Sequence, residues 1–147
     1  MYKLSLINLG LVNLHENGFL GLGSLRQLDL SRNNLTVLPE EIFQWLGSIS
    51  DLKLSENRFS DGVHISNLLG SFAQLVNLNL AVNQLRAVPG LMSSSLLKTL
   101  DLSYNHIANL PGVIDHGIVG PLSGMDRLEV LLLNNNHIQW VDGNFFR

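Results

Sequence analysis

An α/β solenoid is the fold class this sequence predicts, with short parallel strands side by side on a concave sheet and a mostly irregular or 3₁₀ convex side. Three observations predict it. Leucine fills twelve positions that fall two apart in six copies of one spacing. An asparagine stands three residues after the second leucine in five of those copies, and the copies recur every 22 to 31 residues. A period of that size is the mark of a stacked repeat architecture.

Aligned on LxxLxLxxNxL, the copies start at Met1, Leu25, Ile49, Leu75, Leu97 and Leu128, with the last incomplete, so residues 1–147 are expected to form one repeat domain. The fourth slot reads Leu4, Leu28, Leu52, Leu78, Leu100 and Leu131, and the sixth Leu6, Leu30, Leu54, Leu80, Leu102 and Leu133. Leucines two apart share one side of a strand, so each coil contributes one short strand with its leucines turned inward. Stacked coils then share a continuous core.

The ninth slot holds Asn33, Asn57, Asn83, Asn105 and Asn136, and Leu9 in the first coil. Here the chain turns while still buried, leaving main-chain N–H and C=O groups without sheet partners. An asparagine amide carries two donors and an acceptor and is expected to satisfy them across two coils, as a structural ladder. Leu9 predicts that the first coil turns differently or sits at a disrupted end.

The remainder of each coil returns to the next start. Phe19, Phe43, Leu69, Leu91 and Leu122 lie six residues before a start, and Leu22, Leu46, Phe72, Ser94 and Met125 three before, predicting two further buried rows. Pro39, Pro89 and Pro111 occupy the fifteenth slot, where a fixed φ suits a bend. Returns of about this length favour extended or 3₁₀ backbone over a long helix. The fifth coil is seven residues longer than 24, and its return contains "GVIDHGIVGPLSG", a predicted loop whose polar tip is Asp115 and His116.

With these motifs in place, the sequence resembles the leucine-rich repeat family over essentially its whole length. The stretch "LRQLDLSRNNLTVLPEEIFQWLGS" is similar to the typical 24-residue class, and the uneven lengths resemble Toll and Toll-like receptor ectodomains. The resemblance implies a right-handed, horseshoe-shaped superhelix. It also implies a ligand-recognition scaffold at the cell surface or outside the cell, in innate immune or developmental signalling, anchored through a segment outside this sequence and able to homo- or heterodimerise. The alternative is an intracellular or matrix scaffold without a signalling role, cytoplasmic in the first case. Such families carry cysteine-rich caps that this chain lacks, which suggests an internal fragment of a longer protein.

Composition narrows the partners. Nine Lys+Arg against twelve Asp+Glu give a net charge of −3 with no basic run, which disfavours nucleic acid. The absence of cysteine excludes disulfides and thiolate metal sites. No apolar run approaches the roughly 18 residues of a membrane span. The opening "MYKLSLINLGLVNL" fits the first coil better than a cleaved signal, because Asn8 and Asn13 interrupt its apolar run. Asn34-Leu35-Thr36 is a candidate glycosylation site at Asn34.

A search for catalysis returns no constellation. The five histidines, His106 and His137 among them in the tenth slot, show no HxxxH or HExxH spacing and read as surface-loop residues, so neither metal nor cofactor is expected. "GLGS" at 21–24 precedes a strand and lacks the Lys-Ser/Thr of a phosphate loop. Asp101, Ser103 and His106 lie close in sequence, yet hydrolysis also needs an oxyanion site and a pocket. Recognition remains. The second, third, fifth, seventh and eighth slots are expected to face solvent across the concave sheet, with Asp29, Arg32, Asp51, Lys53, Asp101 and Tyr104 as contacts to a protein partner or mixed-polarity ligand. Asp115 and His116 are the candidate loop contact.

Overall fold

The computed structural model describes residues 1–112 and 119–146. Asp115 and His116 lie outside them. In chain order the elements are β1 (Lys3–Ser5), β2 (Gln27–Asp29), a 3₁₀ turn (Glu40–Phe43), β3 (Asp51–Lys53), α1 (Gly62–Leu69), β4 (Asn77–Asn79), β5 (Thr99–Asp101), β6 (Asn109–Leu110), β7 (Val130–Leu132) and β8 (Trp140–Val141). Six strands, one from each predicted coil, form a parallel sheet in the order β1-β2-β3-β4-β5-β7. Its central register joins the fourth-slot leucines, Leu4 to Leu28 to Leu52 to Leu78 to Leu100 to Leu131.

Each strand spans only the third to fifth slots, since one inward leucine flanked by two outward residues is all the pattern supplies. Parallel pairing continues beyond it through single bonds, such as Leu30 N–H to Lys53 O at 2.9 Å and Arg32 N–H to Ser55 O at 3.0 Å. The sixth-slot leucines of coils two to five are fully buried, as are Leu35, Phe59, Leu85 and Ile107 of the eleventh slot. On the return side Phe19 meets Phe43 with centroids 6.2 Å apart, and Phe43 meets Phe72 at 5.2 Å. These rings close the core from behind.

The asparagine rungs are explicit. Asn57 Oδ1 accepts from Leu35 N–H at 3.0 Å, while its Nδ2 donates to Leu30 O, Leu54 O and Ser55 O. Asn83 accepts from Phe59 N–H and donates to Leu54 O, Leu80 O and Ala81 O, and Asn105 repeats the set one coil on. Every interior rung therefore ties its own turn to the preceding coil. An orphaned buried group would cost about 1–3 kcal/mol, so the amides are a condition of the stack.

The first coil turns differently, as Leu9 predicts. Asn33 Oδ1 accepts from both Leu9 N–H and Leu11 N–H, and its Nδ2 reaches Leu6 O. The second coil supplies the amide, but the first turn differs from the others: Gly10 in its tenth slot is left-handed at φ 69°, and Leu9 is exposed at its corner. Only the rung that Leu9 would have extended outward is missing.

A correction concerns the seventh slot, while the eighth is exposed as expected but through an unexpected backbone. Alternation ends with the strand, so Ser31, Ala81 and Ser103 of the seventh slot turn inward and are buried. The eighth slot lies past the strand in left-handed backbone in all six coils: Asn8, Arg32, Glu56, Val82, Tyr104 and Asn135 have φ between 54° and 58°. Left-handed φ costs a residue with a Cβ roughly 1–2 kcal/mol unless asparagine or glycine takes it. Four of these six coils carry that cost, Val82 with the least suitable side chain.

The returns differ from one another. The second holds the 3₁₀ turn, whereas the third is an α-helix instead of extended backbone. Asp61 Oδ1 accepts from Val63 N–H and His64 N–H and caps it, and Ile65, Leu68 and Leu69 place one apolar face on the core. β6 pairs with β8 in a two-stranded sheet that the sequence did not suggest. Ser94 takes the place held elsewhere by Leu46 and Phe72, and its hydroxyl is buried without a partner among the described residues.

Candidate functional site

Outward third and fifth slots place two rows of side chains on the concave sheet. Asp29 and Asp101 occupy equivalent fifth slots and do the same local work. Asp29 Oδ1 accepts from Ser31 N–H at 3.0 Å and from Ser31 Oγ at 2.6 Å, and Asp101 Oδ1 from Ser103 N–H at 2.9 Å and Ser103 Oγ at 2.6 Å. Each carboxylate thus closes the turn after its own strand, and Asp29 turns its second oxygen toward Lys53. Asn79 makes the same closure to Ala81 N–H.

Charges on this face are paired loosely. Lys53 Nζ lies 3.9 Å from Asp29 Oδ2, and the lysine side chain is 59% exposed, so the pair is a weak, screened attraction. Asp51 accepts from Ser50 Oγ at 2.7 Å and from Asn77 Nδ2 at 2.6 Å. Two hollows flank Asp51 and Lys53. One, of about 150 Å³, is bordered by Lys3, Gln27 and Asp29; the other, of about 310 Å³, by Asn77, Asn79, Thr99, Asp101 and Leu132 over a floor of Leu52 and Leu78. The second presents mainly apolar surface framed by amides and charges, a mixture that suits a protein side chain or peptide.

Four of the six predicted contacts, Asp29, Asp51, Lys53 and Asp101, come together there. Arg32 and Tyr104 do not, because the left-handed turn carries them off the strand to the rim. Arg32 Nε donates to Glu56 Oε1 at 3.1 Å across two coils, and Tyr104 is 55% exposed. Asn77, Asn79, Thr99 and Leu132 were missed as site residues. Their signal was present in the alignment, since third and fifth slots stand beside one another once the strands are in register.

A larger hollow of about 610 Å³ lies elsewhere, beside the start of α1, between Asp61, Ser66 and Arg86. It is a wide notch that gathers none of the predicted contacts. The concave hollow is the better candidate because it is built by the repeat itself and brings together predicted contacts from adjacent strands.

The geometry speaks to chemistry as well. Ser103 is buried, its Oγ is engaged by Asp101, and among the described residues no histidine hydrogen-bonds to it. His64 Nε2 accepts from Leu38 N–H at 3.2 Å and joins the helix to the second coil. His106 and His137, thirty-one residues apart, meet with Nδ1 and Nε2 at 3.3 Å, a juxtaposition the linear motifs concealed. Among the described residues no three His, Cys, Asp or Glu side chains gather to hold a metal ion, and no helix is long and apolar enough to cross a membrane. Asn34, half-buried in the tenth slot, keeps its main-chain N–H on Leu11 O.

Comparison with known proteins agrees with this architecture. Models of leucine rich repeats match residues 1–59 and 96–117. The TLR13-ssRNA13 complex superposes at a TM-score of 0.86 with 26% identity, over 99% of this chain and 20% of that one. The Drosophila Toll-Spatzle complex, described as a molecular hub in development and innate immunity, gives 0.82 with 28% identity over 97% of this chain and 20% of that one. Lumican of Gallus gallus is 30% identical over 93% of this chain, and a probable inactive serine/threonine-protein kinase, roco10 of Dictyostelium discoideum, 31% over 92%. The chain spans 48% of lumican and 5% of roco10. Motif, register and asparagine rungs converge with these matches: the chain belongs to the leucine-rich repeat family and resembles part of a Toll-like receptor ectodomain.

Proposed function

We propose that the chain is a non-enzymatic recognition segment of an extracellular or cell-surface receptor of the Toll type, taking a protein ligand on its concave face. One observation carries this reading: the hollow of about 310 Å³ where Asp51, Lys53 and Asp101 frame an apolar floor on an otherwise uncovered sheet. The likeness to the Toll-Spatzle complex supports a protein ligand, and the net charge of −3 supports it over nucleic acid. Asn34 is then a glycan acceptor on the flank, clear of the hollow. Arg32 and Tyr104 extend the contact zone to the rim, and homo- or heterodimerisation belongs to the same reading.

Charge reversal tests it. The chain with Lys53→Glu and Asp101→Lys, compared with the parent on an array of secreted proteins, is expected to lose at least about tenfold in affinity for the parent's binders, because like charges then face each other across the contact. Equal binding by both chains, with equal melting temperatures, would remove the concave face from the proposal. A second reading, a matrix scaffold, is favoured by the lumican match, which covers a larger share of its relative than the receptor matches do. It keeps the same face and differs in having no signalling role.

A further inference from the structure

We infer that His106 and His137 form a zinc-binding clip that joins the fifth and sixth coils on the flank of the solenoid. Both occupy the tenth slot, directly after the buried rung Asn105 and the partly buried rung Asn136. Their main chains are fixed by the ladder: His106 N–H donates to Leu85 O at 2.8 Å, His137 N–H to Ile107 O at 2.9 Å, and Asn136 Oδ1 accepts from Ile107 N–H between them. Two exposed imidazoles are thereby held together by a rigid frame, and the ordering cost of bringing them together is already met by folding.

The ring geometry suits a metal. His106 Nδ1 and His137 Nε2 stand 3.3 Å apart, with ring planes within 4° and centroids at 5.5 Å. Centroids that far apart with nitrogens so near mean the rings meet edge to edge, one nitrogen donating to the other. Two zinc–imidazole bonds of about 2.0–2.1 Å at a tetrahedral angle place their nitrogens roughly 3.3–3.4 Å apart. The separation needed is already present. A rotation of each ring about Cβ–Cγ turns both lone pairs to one side, where a single cation bridges them. No net proton loss is required, because the ring that donates moves its hydrogen to its other nitrogen and both imidazoles stay neutral.

Neutral imidazole pairs favour zinc, copper and nickel over calcium or magnesium. Both rings are exposed, so water completes a four-coordinate shell. Among the described residues no carboxylate is ion-paired with either ring to compete for it. The position has a mechanical meaning too. The fifth coil is the longest of the complete ones, and a metal across the tenth slots adds a side-chain tie to the main-chain bonds and the β6–β8 pairing that already join the two coils there.

Calorimetric titration of zinc chloride into the full chain tests the inference, with melting curves recorded beside it. One zinc per chain and a rise in melting temperature are expected for the parent. His106→Gln and His137→Gln should each weaken zinc binding at least about tenfold, given that even outer-shell changes cost 10–100-fold. Both should also abolish the thermal shift while keeping the parent's zinc-free melting temperature. His15→Gln, in the first coil, should bind as the parent does. No saturable zinc uptake by the parent, or uptake retained in both variants, overturns the clip.

Discussion

The strand-and-turn side of this molecule and its return side obey different rules. Across six coils the eighth-slot φ varies by only a few degrees, and the four interior fourth-slot leucines are all buried. Behind the sheet, by contrast, one coil makes a 3₁₀ turn, the next an α-helix, and two later coils pair short strands. Hydrogen-bond partners explain the difference. On the strand side each coil depends on its neighbour for main-chain partners, so one coil cannot depart without orphaning groups in another. A helix or 3₁₀ turn satisfies itself locally, and the return side has only to present apolar residues to the core.

The largest effect is expected where dependence is deepest. Asn57→Ala removes the only partner that Leu35 N–H has among the described residues, while Leu30 O keeps Asn33, Leu54 O keeps Asn83 and Ser55 O keeps Arg32 N–H. One orphaned buried donor plus three lost bonds should lower stability by about 2–4 kcal/mol in denaturant melts. Asn136→Ala, at a partly buried rung, should cost less than half of that. Equal losses at the two rungs would mean that burial does not set the strength of the ladder.

The same contrast decides what the sequence disclosed. Leucine at the fourth and sixth slots and asparagine at the ninth were legible because each slot accepts almost one side chain: an inward strand residue must be apolar, and a buried turn needs both donors and an acceptor. The left-handed eighth slot was not, since Arg32, Glu56, Val82 and Tyr104 hide a backbone preference that only Asn8 and Asn135 advertise. For the candidate site, Asp29, Asp51, Lys53 and Asp101 were readable as outward strand residues, while Arg32 and Tyr104 were misplaced through that unseen turn. The meeting of His106 with His137 is a product of stacking, invisible until the coils are in register.

Val82 sharpens the comparison from the other direction. A β-branched residue held at φ 55° is strained, and the strand side retains it because the turn is dictated by bonds from both neighbouring coils, Val82 N–H to Ser103 O among them. Val82→Asn should relieve the strain at an exposed position and raise stability by about 1 kcal/mol. No gain in a urea melt would indicate that the cost is absorbed elsewhere in the turn.

The return side is expected to respond least at α1, whose main-chain bonds lie within the helix and whose ties to neighbouring coils run through side chains such as His64. Asp61 is exposed and contributes one carboxylate oxygen to two N–H groups at the head of α1, at 2.8 and 3.2 Å. Asp61→Ala should cost about 1 kcal/mol, the ordinary value of an N-cap. The loss should stay local. Exchange of the α1 amides should quicken while the N–H of Leu35 and Phe59, held by ladder rungs on either side of the third coil, keep their protection. If those ladder amides lost protection along with the helix, return and strand would be one cooperative unit, and the freedom of the convex side to vary from coil to coil would need an explanation other than local satisfaction.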